Sequence, residues 1–149
     1  MIELRAADSR DIAEILSTDT YIPKEMLLAK IDRAPEQVRL IRHSGATVGV
    51  LRYGFLWDYI PYLCFLNIRG EFRGRGYAGE ALRSWENEMA RGGHDTLFCS
   101  IPSDDAAQAF YRKMGYEDAG SLCIRCGRFA QPAEIFFIKF LTPRNPGDF

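Results

Sequence analysis

Glycine and arginine crowd one stretch of this chain, Arg69 to Gly79, which reads RGEFRGRGYAG. Glycines let a backbone come close to a ligand, and Arg73 and Arg75 carry planar forks of donors suited to phosphate. The flanks add to this chemistry. Tyr62 to Ile68 is an apolar run that reads as a buried strand. Ala78, Leu82, Trp85 and Met89 follow at helical spacing, so a helix opens inside the glycine stretch. The first N–H groups of a helix have no partners and its macrodipole favours negative charge. A strand, a glycine-rich turn and a helix start together form an anion site, which predicts a phosphate-bearing cofactor.

Several phosphate binders share such a loop. Gly74, Gly76 and Gly79 satisfy GxGxxG. The dinucleotide-binding version sets its glycines directly after the strand and needs an acidic residue about twenty positions on. Here Arg69 to Arg73 intervene, and the position in question holds Cys99. No Gly-Lys-Ser/Thr follows, which excludes a P-loop, and the partner motifs of a kinase glycine loop are missing.

The elements that must position this loop are legible. Ile2 to Ala6 alternates as a strand, and Asp8 and Ser9 offer caps to a helix bearing Ile12, Ile15 and Leu16. Lys24 to Arg33 reads as a second helix between Pro23 and Pro35. Val38 to Ile41 and Thr47 to Tyr53 flank a His43-Ser44-Gly45-Ala46 turn, a hairpin pattern. Phe55 to Pro61 reads as aromatic and irregular. The cofactor strand, the loop and a helix to about Arg91, closed by Gly92-Gly93, come next. Thr96 to Ile101 is a strand. Pro102 to Asp105 starts a helix with Ala107, Phe110 and Met114 on one face, stopped by Gly115. Leu122 to Cys126 and Ile135 to Leu141 read as final strands. The order β-α-α-β-β-β-α-β-α-β-β predicts a mixed α/β fold in one domain, 1–149, with a loose tail over 142–149.

Composition narrows the class. The 149 residues are 47% hydrophobic and 26% charged, ordinary for a soluble globular protein. A formal net charge of -1 supports neither a nucleic-acid nor an anionic-membrane partner. The N-terminus has no signal pattern, and the longest apolar run, Tyr59 to Ile68, is too short to span a bilayer. A cytoplasmic location is expected. Cys64 and Cys99 lie in strand-like runs. Cys123 and Cys126 form one CxxC with no second ligand pair, so they read as strand cysteines and no metal is expected.

Two motifs occur in order. Arg73-Gly74-Arg75-Gly76-Tyr77-Ala78 follows the strand, and Ala107-Gln108-Ala109-Phe110-Tyr111-Arg112-Lys113-Met114-Gly115-Tyr116 lies a helix and a strand later. The first resembles motif A of the GNAT superfamily of acyl-CoA-dependent N-acetyltransferases, Gln/Arg-x-x-Gly-x-Gly/Ala. The second resembles that family's other signature, Ala-x-x-aliphatic/aromatic-Tyr-x-x-x-Gly-Phe/Tyr. With the strand between them and IELRAADSRDIAEI at the N-terminus, the resemblance covers nearly the whole chain.

The resemblance implies a single GNAT-like domain whose central, mostly antiparallel sheet splays at the cofactor strand. It implies acetyl-CoA as acyl donor and a small-molecule or peptide amine as acceptor, with homodimers common among relatives. The backbone of Leu66, Asn67 and Ile68 would bond the pantetheine arm. The N–H groups of Arg73, Gly74, Arg75, Gly76, Tyr77 and Ala78 would hold the pyrophosphate, and Tyr111 would protonate the leaving thiolate. Asn67 could instead satisfy the opening of its strand. Amine attack forms an oxyanion that a backbone N–H on the splayed strand can stabilise, with no covalent enzyme intermediate.

Two positions depart from the family's pattern. Asp104 stands where the second motif's helix often begins with Asn, and Asp also caps helices. Cys99 stands where some relatives carry a basic glutamate. Asp58 is then the candidate base, ahead of Glu71, with a water relay or no dedicated base as alternatives. The aromatics Tyr53, Phe55, Trp57, Tyr59 and Tyr62 either line an acceptor pocket or fill core, with Trp57 and Tyr59 the pocket candidates. Rival readings are transfer of another short acyl group, a catalytically silent acyl-CoA-binding sensor or interaction module, and a nucleotide-binding domain.

Overall fold

The computed structural model describes residues 1–142. Seven strands and four α-helices run in the order β1 (Glu3–Ala6), α1 (Ile12–Leu16), α2 (Lys24–Arg33), β2 (Val38–His43), β3 (Ala46–Leu56), β4 (Ile60–Ile68), α3 (Tyr77–Arg91), β5 (Thr96–Pro102), α4 (Gln108–Lys113), β6 (Glu117–Leu122) and β7 (Glu134–Phe140). This is the mixed α/β order that the sequence predicts. The expected loose tail falls, beyond Thr142, outside the described residues.

The chain forms two compact units, one of Met1–Gly54 with Leu63–Glu88 and one of Phe55–Tyr62 with Met89 onward. In the first unit β1 pairs antiparallel with β2, and β2 with β3. The period of two along these strands puts alternate residues on opposite faces. Val38, Leu40 and Val50 join Ile12, Ile15, Leu27 and Ile31 of the first two helices in one buried cluster. Arg39 and Tyr53 point the other way. Arg39 Nη1 donates to Glu88 Oε2 of α3 at 3.1 Å, and the Tyr53 ring lies 5.6 Å from that of Trp85. Each such apolar side chain contributes about 1.5–3 kcal/mol by leaving water.

Local chemistry sets the ends of these elements. Asp8 and Asp11 form a reciprocal capping box, with Asp8 accepting from Arg10 N at 2.8 Å and Asp11 accepting from Asp8 N at 2.9 Å. The start of α3 is tied to the chain's first strand by Ile2 N, which donates to Glu80 Oε1 at 2.7 Å.

In the second unit β7 lies between β5 and β6, antiparallel to both. Leu97, Cys99 and Ile101 are buried while Thr96, Phe98 and Ser100 are half-buried, a plain alternation. Helix α4 ends in a Schellman arrangement: Tyr116 N donates to Tyr111 O at 3.0 Å and Gly115 N to Arg112 O at 3.1 Å, with Gly115 at φ 93°.

Four sequence expectations are corrected. Phe55 to Pro61 is not irregular: β3 runs to Leu56, β4 starts at Ile60, and Trp57 and Asp58 form the tip with φ of 54° and 69°. Aromatic β-formers carried the strands past the point where alternation faded. The run Tyr62 to Ile68 is not a buried strand, since Cys64 is exposed and only Leu63 and Ile68 within it are buried. The sixth strand is Glu117–Leu122, not Leu122 to Cys126. Every residue of it is exposed and among the described residues it pairs with β7 alone, so it carries no apolar signal. Cys123 and Cys126 consequently lie in an exposed loop, not in a strand. Finally, Asp105 and not Asp104 caps the approach to α4, accepting from Ala107 N at 2.8 Å.

Candidate active site

The loop between β4 and α3 is built as an open anion cradle. Its first turn is a short 3-10 segment, Gly70–Phe72, and the chain then swings through Gly74 and Gly76 at φ 78° and 81° before α3 begins. Only glycine takes that left-handed conformation without strain. A Cβ placed on Gly74 or Gly76 would meet no heavy atom within 4 Å, so open space lies over this backbone. The N–H groups of Gly74, Arg75, Gly76, Tyr77 and Ala78 take no hydrogen bond among the described residues, whereas Glu80 N already donates to Gly76 O at 3.1 Å. Consecutive unbonded donors at a helix start, in a loop with open space over its glycines, suit an anion such as a pyrophosphate.

The two arginines divide the work. Arg73 holds the loop to its strand: Nε donates to Ile68 O at 2.9 Å and Nη2 to Asn67 Oδ1 at 3.2 Å. That bond uses Asn67 Oδ1, while the Asn67 Nδ2 donors take no hydrogen bond among the described residues. Arg75 is exposed, with its guanidinium 5.8 Å from the Phe72 ring, and its donors take no hydrogen bond among the described residues. Beneath the loop, β3 presses on β4 at Gly49. A Cβ there would stand 2.9 Å from Ile68 Cδ1 and 3.1 Å from Ile68 Cα, and closer still to Asn67 O. Glycine at this position lets β3 support Asn67 and Ile68 directly.

Tyr111 lies in the second unit, on α4. It is 5% exposed, edge-on to Tyr116 at 5.7 Å and stacked on Phe137 at 6.0 Å. Its hydroxyl takes no hydrogen bond among the described residues. Burial pushes the phenol well above the ordinary tyrosine range, and the neighbouring Cys99 and Asp105 push it the same way. The side chain therefore stays protonated.

The aromatic group separates. Tyr53 is core at 2% exposure, packed on Trp85. Trp57 and Tyr59 are 68% and 64% exposed at the β3–β4 tip, with Asp58 between them, and Asp58 forms no hydrogen bond or ion pair among the described residues. Tyr62 hydrogen-bonds the Ser100 hydroxyl and its ring lies 6.3 Å from that of Phe136. The Tyr62–Ser100 pair was missed from the sequence, although both positions fall on strands that the sequence already marks. Also missed was a charged cluster of Lys30, Arg52 and Asp19 in the first unit, which sequence order scatters over α2, β3 and the loop after α1. Among the described residues no cluster of ligating side chains suited to a metal occurs, and no helix is long and apolar enough to cross a membrane.

Comparison with known proteins now bears on this geometry. A search of curated proteins finds no match. Solved structures match in fold. Ard1 from Thermoplasma volcanium superposes with a TM-score of 0.82 at 14% identity, over 95% of this chain and 99% of that one. A putative acetyltransferase from Salmonella typhimurium, yncA with its cofactor acetyl-CoA, gives 0.74 at 17% identity over 99% and 98%. Arabidopsis thaliana Naa50, in complex with the bisubstrate analogue CoA-Ac-MVNAL, gives 0.75 at 15% over 93% and 97%. A family model, Acetyltransferase (GNAT) family, matches residues 6–116, which include both motifs. On that match the chain belongs to the GNAT family of acetyltransferases.

Proposed function

We propose that the protein transfers an acetyl group from acetyl-CoA to a primary amine by direct attack in a ternary complex. The observation that carries this reading is the loop: five consecutive N–H groups, Gly74 to Ala78, left unbonded beside open space at the start of α3. In the proposed roles these groups and Arg75 bind the pyrophosphate, and the backbone of Leu66, Asn67 and Ile68 bonds the pantetheine arm. The amine nitrogen attacks the thioester carbonyl, the carbon–sulfur bond breaks, and the sulfur takes the Tyr111 proton. The nitrogen's surplus proton passes to a base or to solvent, and a proton returned from solvent restores the Tyr111 phenol, so the transfer leaves the enzyme unchanged. Asp58, exposed and unpaired, is the candidate base. Trp57 and Tyr59 beside it are the candidate acceptor contacts. Supporting the Tyr111 role is its environment, which keeps the phenol protonated at any ordinary pH.

Turnover of acetyl-CoA against a panel of primary amines, read as thiol release and acetylated product, tests the reading. Acetylation that falls about 10²–10⁴-fold in Tyr111→Phe, with acetyl-CoA affinity kept, supports it. Tight acetyl-CoA binding without turnover of any amine would favour the silent binding module, a reading to which Cys99 lends support by standing where some relatives carry a glutamate.

A further inference from the structure

The first unit contains a groove of about 620 Å³ beside α2, lined by the apolar side chains of Ile22, Met26 and Ala29 and by the polar ones of Lys30, Gln37 and Arg52. Nothing in the acetyl-transfer chemistry so far uses it, yet its charged wall is unusually organised.

Arg52 is clamped from behind. Its Nε donates to Asp19 Oδ2 at 2.7 Å, Asp19 is fully buried, and the guanidinium carbon lies 5.8 Å from the Phe65 ring centroid. Only 12% of the side chain is exposed. Its two terminal nitrogens take no hydrogen bond among the described residues. The result is a fixed, planar pair of donors on the groove wall, the geometry that grips a carboxylate through two parallel bonds. Lys30 stands beside it. Its Nζ spends one donor on Gln37 Oε1 at 2.9 Å and lies 3.6 Å from where a Cβ on Gly54 would be. Gly54 is two residues along β3 from Arg52, about 6.6 Å at strand rise. Burial holds the Lys30 ammonium below the usual lysine range, and Arg52 adds to the depression although Cys64 opposes it. Asp19 neutralises Arg52, and Glu25 and Arg33 also line the groove. Glu36 draws on Lys30 from beyond ion-pair distance, so Lys30 is a partly desolvated cation with no carboxylate in direct contact among the described residues, next to a guanidinium fork with donors to spare.

The groove also adjoins the strand that carries the proposed pantetheine contacts. Cys64 Sγ lies 3.9 Å from the same built Cβ on Gly54, and Cys64 precedes Leu66 by two residues, about 6.6 Å along β4.

We propose that Lys30 and the fork of Arg52 bind a carboxylate, and that the amine acceptor is a small amino carboxylate whose apolar side chain lies against Ile22, Met26 and Ala29. This rests on the acetyl-transfer reading for the fate of the amine, though not for the binding site itself. The carboxylate takes two hydrogen bonds from Arg52 and one from Lys30, which fixes the acceptor's orientation before attack.

The test is calorimetric titration with matched pairs, leucine against leucinamide and methionine against methioninamide, on protein with and without saturating CoA. The acids bind at least about tenfold more tightly than the amides. Arg52→Lys keeps a cation on Asp19 while removing the fork, and Lys30→Met removes the second cation. Each brings the acid down to the affinity of its amide with acetyl-CoA binding and circular dichroism unchanged. Equal binding of acid and amide, binding of neither, or indifference to both variants overturns the proposal. An acetyl-CoA titration on the same samples separates the two claims. Its failure would sink the acetyl-transfer reading, while acid–amide discrimination would still stand or fall on Lys30 and Arg52.

Discussion

Tyr111 shows how environment assigns a role to a residue type. A phenol in water ionises near its ordinary value, but here burial raises it far above that. Because the folded pKa is raised, the stability linked to this group is fully present below the unfolded value and falls as pH rises above it. Between about pH 10 and 12 the unfolded chain releases the Tyr111 proton while the native state keeps it. Native stability therefore drops there, by up to about 1.4 kcal/mol per pH unit from this group. Urea denaturation at pH values across that range should show a shallower decline in Tyr111→Phe than in wild type; parallel slopes would remove the buried phenol as the cause. Gly76 poses the complementary case. Gly76→Val places a β-branched side chain at φ 81° and a Cβ in the open space over the loop. It should cost about 1–2 kcal/mol of stability and weaken acetyl-CoA by tenfold or more, read by thermal melting and calorimetry.

At the scale of elements, support for the loop comes from neighbours that sequence spacing does not reveal. Gly49 lets β3 touch Asn67 and Ile68, so Gly49→Ala forces the two strands apart where the pantetheine contacts are proposed. A loss of about 1–3 kcal/mol in chemical denaturation is expected, with acetyl-CoA affinity reduced at the same time. A neutral Gly49→Ala would show that the strand support is dispensable. The entry to α1 gives a pH signature. Asp8 accepts from Arg10, through the side chain and then the backbone, and its carboxyl is held down to about 2. A depressed carboxylate contributes stability above its unfolded pKa and loses it as pH falls through the folded one. Asp8→Ala should lower the denaturation midpoint at about pH 7 and make progressively less difference as pH falls through about 2.

What was legible follows the same physics. The boundaries of α2, the opening of α3 at Tyr77 and the glycine cradle were readable because caps, prolines and glycines act locally. The second motif marked Tyr111, but its burial depends on Phe137 and Tyr116, which lie along the chain from it and become neighbours only through β7 and the turn after α4. The edge strand β6 was misplaced because a strand exposed along its whole length has no hydrophobic period to read. Trp57 and Asp58 were invisible as a turn, since bulky residues at positive φ are outside the usual turn chemistry. Arg73 looked like a phosphate ligand and turns out to pin the loop to Ile68 and Asn67.

For the whole molecule, the chain passes back and forth between the two compact units, so each is assembled from segments distant in sequence. Neither unit is a contiguous stretch that would be completed before the other begins. We propose that the chain nevertheless unfolds as one domain, in a single calorimetric transition whose van't Hoff and calorimetric enthalpies agree. Two resolved transitions would assign the units separate stabilities.

The central claim is that the Gly74–Ala78 cradle binds acetyl-CoA, and calorimetric titration of acetyl-CoA into the purified protein tests it most directly, with NAD and ATP as controls and with Gly76→Val beside the wild type. The account predicts micromolar or tighter acetyl-CoA binding that the variant loses and that neither control reproduces. Well-folded protein that binds no acetyl-CoA, or that binds NAD in its place, would contradict it.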